Sequence, residues 1–230
     1  MNHYFSRITV RSPAPDVRRL AQNACTDAYR EHQALWRLFE EDAGADRDFL
    51  FRREQREGRP AFYLVSSRAP VRDQGIWHIE HKPYRPRLRT GQRLAFSLRA
   101  NPVVTRTDSN GRRQRHDVVM NRKHAPDYRD LPERERPPLA QLVQEAGIHW
   151  LETRAERCGF AFEETAVRVD GYVRHRLPAR GKGKPIQLST LDFTGVLEVT
   201  DPEAFTATLV QGIGPAKAFG CGLLLVRPLA

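Results

Sequence analysis

The opening residues alternate, with Tyr4, Ser6, Ile8 and Val10 on one face and Phe5, Arg7 and Thr9 on the other. Period-two patterning of this kind predicts a β-strand with one face in a core. Ser12-Pro13-Ala14-Pro15 breaks the run. From Asp16 to Phe39 the chain reads as helical, interrupted around Asn23 to Thr26, with Leu35, Trp36, Leu38 and Phe39 at helical spacing. Phe49 to Arg52 and Ala61 to Ser66 predict a hairpin turning at Glu57-Gly58-Arg59-Pro60. Beyond Pro70 the pattern is weak, and the proline- and arginine-rich stretch from Pro83 to Thr90 reads as a linker.

The second half is patterned more clearly. Gln92 to Asn101 sets Leu94, Phe96, Leu98 and Ala100 against Arg93, Ala95, Ser97 and Arg99, a strand with one apolar and one partly basic face. Asp108-Ser109-Asn110-Gly111 marks a turn in a basic loop. Leu139, Leu142, Val143, Ala146, Trp150, Leu151, Ala155 and Cys158 trace an amphipathic helix closed by Gly159. Strands follow near Phe160 to Asp170 and Gln187 to Val199. Asp201 and Pro202 open a helix to Gln211 as N-cap and first helical residue, and Gly222 to Arg227 forms a last strand. The order β-α-β-β-α-β is the split βαβ plan of ferredoxin-like domains, and the first half reads as a decayed copy of it. The expected fold is α+β, two tandem ferredoxin-like (RRM-like) domains over residues 1–88 and 89–230.

Composition changes this picture little. Apolar residues make up 40% of the 230, enough for proper cores without disulfides. Cys25, Cys158 and Cys221 lie far apart with no metal-ligand or disulfide spacing, so all three read as small core residues. The strand-like opening is no leader, and no run of about 18 apolar residues offers a membrane span. A soluble cytoplasmic protein without a membrane partner is expected.

Charge changes it more. Lys and Arg number 38 against 28 Asp and Glu, a net +10, which points to a polyanionic partner such as nucleic acid. The basic stretches run from Arg85 to Arg99, Arg106 to Lys123 and Arg168 to Lys184. In the last of these, Arg168, Arg174, Arg176, Arg180, Lys182 and Lys184, with Tyr172 among them, predict an arm tracking an RNA backbone. The aromatic signature of a standard RNA-recognition motif is missing, so base stacking on a sheet face is not expected.

Several chemistries find no support. His78-Ile79-Glu80 is half of a zinc-deaminase signature, but no Pro-Cys-x-x-Cys follows. There is no His-Glu-x-x-His, no Gly-x-Ser-x-Gly and no dense carboxylate cluster for a two-metal nuclease. A nuclease built from this chain is expected to need no cofactor and no metal. Tyr29 and His32 stand three apart on a predicted helix and share a face, and histidine is the side chain best suited to moving a proton near neutral pH. The segment Gly212-Ile213-Gly214-Pro215-Ala216-Lys217-Ala218-Phe219-Gly220-Cys221-Gly222 is neither a Walker loop nor a dinucleotide fingerprint. Its glycines permit a tight path and Lys217 adds a positive charge, which suits either an RNA-facing or a domain-packing role.

Phe5-Ser6-Arg7-Ile8, His32-Gln33-Ala34-Leu35-Trp36 within Tyr29 to Phe39, and Arg47-Asp48-Phe49-Leu50-Phe51 resemble the CasE family. So do Phe96-Ser97-Leu98-Arg99-Ala100-Asn101-Pro102 and the ending Gly212 to Leu225. These are the repeat-processing endoribonucleases of type I-E CRISPR systems, and the resemblance runs in order along the whole chain. Ala14 to Ala28 is longer than the family's usual first connection, and Asp117 to Pro138 carries no sharp motif. The resemblance implies two ferredoxin-like domains and metal-independent cleavage at the 3′ base of a CRISPR repeat stem-loop. It also implies retention of the product as crRNA within a complex of other protein subunits. The family's catalytic histidine falls on His32, and a tyrosine accompanying it in some members falls on Tyr29. A non-catalytic hairpin-binding subunit is the alternative.

Overall fold

The structure is a computed structural model describing residues 2–12, 14–39, 48–177 and 185–229. The chain forms two compact units. Met1–Arg87, Val210–Gly212 and Ala216–Leu223 make the first; Leu88–Leu209, Ile213–Pro215 and Leu224–Ala230 make the second.

The first unit comprises β1 (Tyr4–Val10), α1 (Pro15–Ala24), α2 (Ala28–Trp36), β2 (Phe49–Arg56), β3 (Arg59–Ser66) and β4 (Trp77–Pro83). Its antiparallel sheet has the order β2-β3-β1-β4, the order of a ferredoxin-like sheet. The alternation in β1 is realised as expected, since Ser6, Ile8 and Val10 are buried and the residues between them are not. The helical stretch before Phe39 is two helices, because the chain breaks at Cys25 and Asp27 caps a second start. No second crossover helix covers this sheet among the described residues. Residues 67–76 run irregularly instead, tied down where Val71 N and Arg72 N donate to the Leu38 carbonyl at 2.9 and 3.0 Å. The core gathers Ile8, Leu35, Leu38, Phe39, Phe51, Phe62, Leu64 and Trp77, each contributing about 1.5–3 kcal/mol by leaving water. Cys25 belongs to the same core, and its thiol is pushed up to about 12 by burial and then by the Glu31 charge. It is thus an un-ionised packing residue. His78 and Glu80 lie on β4, where Glu80 accepts from Arg7 of β1 at 2.5 Å, so the half-signature there is a strand pairing.

The second unit begins with β5 (Arg93–Ala100). An insert follows: β6 (Val103–Thr107), β7 (Arg113–Asp117), α3 (Val118–Lys123) and α4 (Pro126–Arg129). The stretch expected as a basic loop is therefore a hairpin. Its turn sits where it was read, with the Asp108 carboxylate accepting from Asn110 N at 3.0 Å and Arg112 N at 2.8 Å. The chain continues as α5 (Leu139–Ala155), β8 (Phe160–Ala161), β9 (Val167–Leu177), β10 (Ile186–Val199), α6 (Pro202–Gln211) and β11 (Leu224–Pro228). The sheet order β11-β5-β10-β8, with β9 also on β10, is again ferredoxin-like and here keeps both helices. Asp201 caps α6 as expected, accepting from Glu203 N and Ala204 N at 2.9 and 3.1 Å. Beneath the helices, Trp150 packs on Phe193 with ring centroids 5.7 Å apart, and Phe160 meets Phe205 edge-on at 5.9 Å. All three cysteines are buried and none is joined in a disulfide. No helix among the described residues is long and apolar enough to cross a membrane.

Candidate active site and nucleic-acid surfaces

Helix α2 carries the candidate chemistry, and short-range rules fix where it starts. The Asp27 carboxylate accepts from Tyr29 N and Arg30 N, both at 2.9 Å, satisfying two of the helix's orphan donors. Its inner face buries Leu35 and Glu31. A buried carboxylate needs a partner, and Arg53 of β2 reaches Glu31 while also donating to the Cys25 carbonyl at 3.4 Å. This ion pair locks the helix onto the sheet at the residue next to His32.

His32 is half-buried at the edge of that packing. Its ring stacks on Phe49 with centroids 5.5 Å apart and planes 22° apart, and Trp36 lies at 5.9 Å. Three aromatic rings, with Phe51 at 6.4 Å, thus set the imidazole's orientation. One turn earlier Tyr29 is exposed, its hydroxyl accepting from Gln33 Nε2 at 2.5 Å. The glycine-rich segment completes the surroundings. Its single turn Lys217–Phe219 packs on both α2 and β2, so this turn lies against the helix that bears Tyr29 and His32.

The glycines of this segment have packing reasons to be there. Gly212 has φ +74°, and a Cβ on it would fall 2.8 Å from both the Gly222 carbonyl oxygen and Leu50 Cδ1. Gly220 passes over Phe51, to which a Cβ would come within 3.2 Å. Gly214, in the second unit, lies against Trp150, 3.1 Å from a would-be Cβ. Gly222 supplies the carbonyl that Gly212 approaches. Gly212→Ala is therefore expected to destabilise the protein by about 1–3 kcal/mol through overlap, on top of its backbone strain. Gly58→Ala, at φ +72° with open space around it, is expected to cost only the backbone contribution of about 1–2 kcal/mol. Denaturant melts of the two variants measure the difference, and equal midpoints would remove the packing argument.

The expected basic arm is the β9–β10 hairpin. Arg174 and Arg176 are exposed on one face of β9, opposite Ser189 and Gln187 of β10. Arg168 pairs with Asp170 at 2.8 Å and is exposed. Tyr172 is turned elsewhere, its hydroxyl donating to Asp117 at 3.0 Å; burial and then the Asp117 charge push it up to about 12. Arg180, Lys182 and Lys184 lie outside the described residues. Among the described residues no three His, Cys, Asp or Glu side chains gather as metal ligands.

Known proteins are similar to this chain in sequence and in fold. A family described as CRISPR associated protein matches residues 3–228. The CRISPR system Cascade subunit CasE of Escherichia coli K12 is 34% identical over 210 residues, covering 88% of this chain and 93% of that protein. The CRISPR-associated endoribonuclease Cse3 of Thermus thermophilus is 31% identical over 226 residues, covering 91% of this chain and 94% of that one. The chain belongs to the CasE/Cse3 family of CRISPR-associated endoribonucleases. A solved structure of Cse3 bound to a 19-nucleotide RNA superposes with TM-score 0.72 at 28% identity, covering 99% of this chain and 100% of that one. The Thermus thermophilus Cse3 bound to an RNA representing a pre-cleavage complex gives 0.69, also at 28% identity, covering 99% of this chain and 100% of that one. The tandem ferredoxin-like fold expected from the sequence is thus the fold of this CasE/Cse3 member.

Reading the sequence missed the groups that hold the site. Glu31, Arg53, Phe49 as the imidazole's floor and Asp117 as the receiver of Tyr172 all depend on neighbours distant in sequence. Only the Asp27 cap left a local signal, an Asp directly before the helical run.

Proposed function

We propose that this chain binds the stem-loop of CRISPR repeat RNA and cleaves precursor crRNA at the 3′ base of the hairpin without a metal. It keeps the product as a subunit of the type I-E surveillance complex, alongside other protein subunits, in the cytoplasm. One observation carries the assignment of the chemistry: a half-exposed imidazole held by stacked rings on a capped helix, with a tyrosine one turn away. Such a group is oriented before substrate arrives, as a proton-transferring residue needs to be.

The reaction follows from these groups. The ribose O2′ loses its proton and attacks the adjacent phosphorus, the P–O5′ bond breaks, and O5′ takes up a proton. The products are a 2′,3′-cyclic phosphate and a 5′-hydroxyl. His32 moves one of the two protons, as base on the 2′-OH or acid on O5′, and Tyr29 orients or donates beside it. A lysine stabilises the charge that builds on the phosphorane oxygens, with Lys182 and Lys184 of the arm as its candidates. Much of the remaining rate comes from holding O2′, phosphorus and O5′ in line.

The catalytic helix is assigned to a domain of residues 1–88 and the basic arm to one of residues 89–230, while Ala216 to Gly222 of the glycine-rich loop fold with the first unit. Arg168, Arg174, Arg176, Arg180, Lys182 and Lys184 track the RNA backbone, with Tyr172 at the base of the arm. Gly212, Gly214, Gly220 and Gly222 give Lys217 its close path to the RNA. Single-turnover incubation of end-labelled repeat RNA with the chain in EDTA tests the reading. Cleavage to a 2′,3′-cyclic phosphate end is the expected result. An intact RNA bound by the chain would identify a hairpin-binding subunit without activity.

A further inference from the structure

The basic stretch from Arg106 onward is not used by the site described above, and its geometry is specific. The β6–β7 hairpin exposes Thr105, Arg106, Thr107, Arg112, Arg113, Gln114, Arg115 and His116. Directly paired residues share a face, so Thr105, Thr107, Arg113 and Arg115 line one side, with Arg106, Gln114 and His116 on the other. None of the four arginines forms an ion pair through its side chain among the described residues. The hairpin's one carboxylate near the tip, Asp108, is taken up by the turn and by Gln114 Nε2 at 3.1 Å.

The base of this hairpin is tied to the β9–β10 arm of the same unit. Strand β5 ends at Ala100 opposite Leu191, while β9 and β10 remain paired beyond it as far as Leu177 and Ile186. Both hairpins therefore spring from the same end of the sheet. Asn101 Nδ2, just before β6, donates to the Ser189 carbonyl of β10 at 2.6 Å. Asp117, closing β7, accepts from the Tyr172 hydroxyl. Tyr172 reaches it from a β-bulge, where Gly171 and Tyr172 together oppose Leu191 alone and the strand re-aims its side chain. Asp117 also caps α3 through Met120 N at 2.8 Å, with Val118 and Val119 buried beneath. The link between the hairpins is thus anchored on both sides.

We infer that the β6–β7 hairpin is a second clamp on the RNA phosphate backbone, coupled to the β9–β10 arm by the Tyr172–Asp117 hydrogen bond. The inference rests on the RNA-binding reading above and names the surface that deepens it. The chemistry selects a nucleic-acid backbone over a protein. Arginines interleaved with threonine hydroxyls are phosphate-binding groups, whereas a protein interface needs an apolar or aromatic centre. Residues 105–116 offer neither. Contacts to phosphates carry no base information, so the clamp is blind to sequence apart from any stacking on the exposed His116 ring.

Hairpin RNA binding by the full chain, measured over a range of salt, tests this. Replacing Arg106, Arg113 and Arg115 by Ala is expected to flatten the log–log salt slope by about two to three units, since each phosphate contact contributes about 0.7–0.9. Saturating single-turnover cleavage and the melting temperature should stay at the unmutated values, because these side chains are exposed and outside the catalytic group. Tyr172→Phe should lose part of the same affinity, and lose none when the three arginines are already gone. An unchanged slope in the triple variant overturns the clamp. Losses from Tyr172→Phe that simply add to those of the triple variant overturn the coupling. Binding by the unmutated chain reports on the RNA-binding reading itself, so a loss confined to the variants concerns the hairpin alone.

Discussion

His32→Ala is expected to slow single-turnover cleavage of a repeat hairpin by about 10²–10⁴-fold, the usual worth of a positioned proton-transfer group. Hairpin affinity should stay nearly unchanged, because a group that acts only on moving protons stabilises the transition state more than the bound substrate. The variant also makes a clean comparison for a structural reason. Helix α2 is held by Leu35, by the buried Glu31 with Arg53, and by its Asp27 cap, none of which involves the imidazole. Its removal leaves Phe49 uncovered and the helix in place. A variant that cuts at the unmutated rate would move the proton transfer to another residue. A variant that loses the hairpin would make His32 a recognition residue.

How much of this was legible in the chain depends on where each element places its side chains. Strand β1 showed itself because its buried face, Ser6, Ile8 and Val10, alternates with side chains that stay half-exposed. Strand β4 did not, since only Trp77 is buried in the core, Ile79 packs half-buried against it, and His78, Glu80, His81 and Lys82 are exposed. It is a strand by virtue of pairing with β1, which no local pattern records. The β6–β7 hairpin is exposed on both faces along most of its length, so it carries no contrast between faces for a period to reveal. Only its turn was visible, because Asp108, Asn110 and Gly111 act locally.

The candidate site divides along the same line. Histidine at helical spacing from tyrosine identified the residue types, and the family resemblance supplied their role. The features that prepare His32 were silent in sequence. Phe49 lies 17 positions away and reaches the imidazole only because β2 passes under α2. Tyr172 shows what proximity in sequence leaves out. Read among arginines it belonged with the arm's RNA contacts, yet a bulge turns it to an aspartate 55 residues earlier in the chain.

Replacing the ribose 2′-hydroxyl by hydrogen at the cut site, and nowhere else, is expected to abolish cleavage. That oxygen is the nucleophile of the proposed reaction, and its loss leaves His32 with no proton to move on the attacking side. The effect should exceed that of His32→Ala, because the histidine only assists a step that in-line placement of the reactants also promotes. Affinity should fall little, since one hydroxyl is a small part of an interface dominated by phosphate contacts. The unmutated chain should still bind the modified hairpin with the same salt slope and hold it uncut, so binding and chemistry are read from one RNA. A cleaved deoxy substrate would mean that water attacks the phosphorus. The product would then carry a 3′- or 5′-phosphate in place of the cyclic one, and a group able to activate water would have to be sought near the scissile bond.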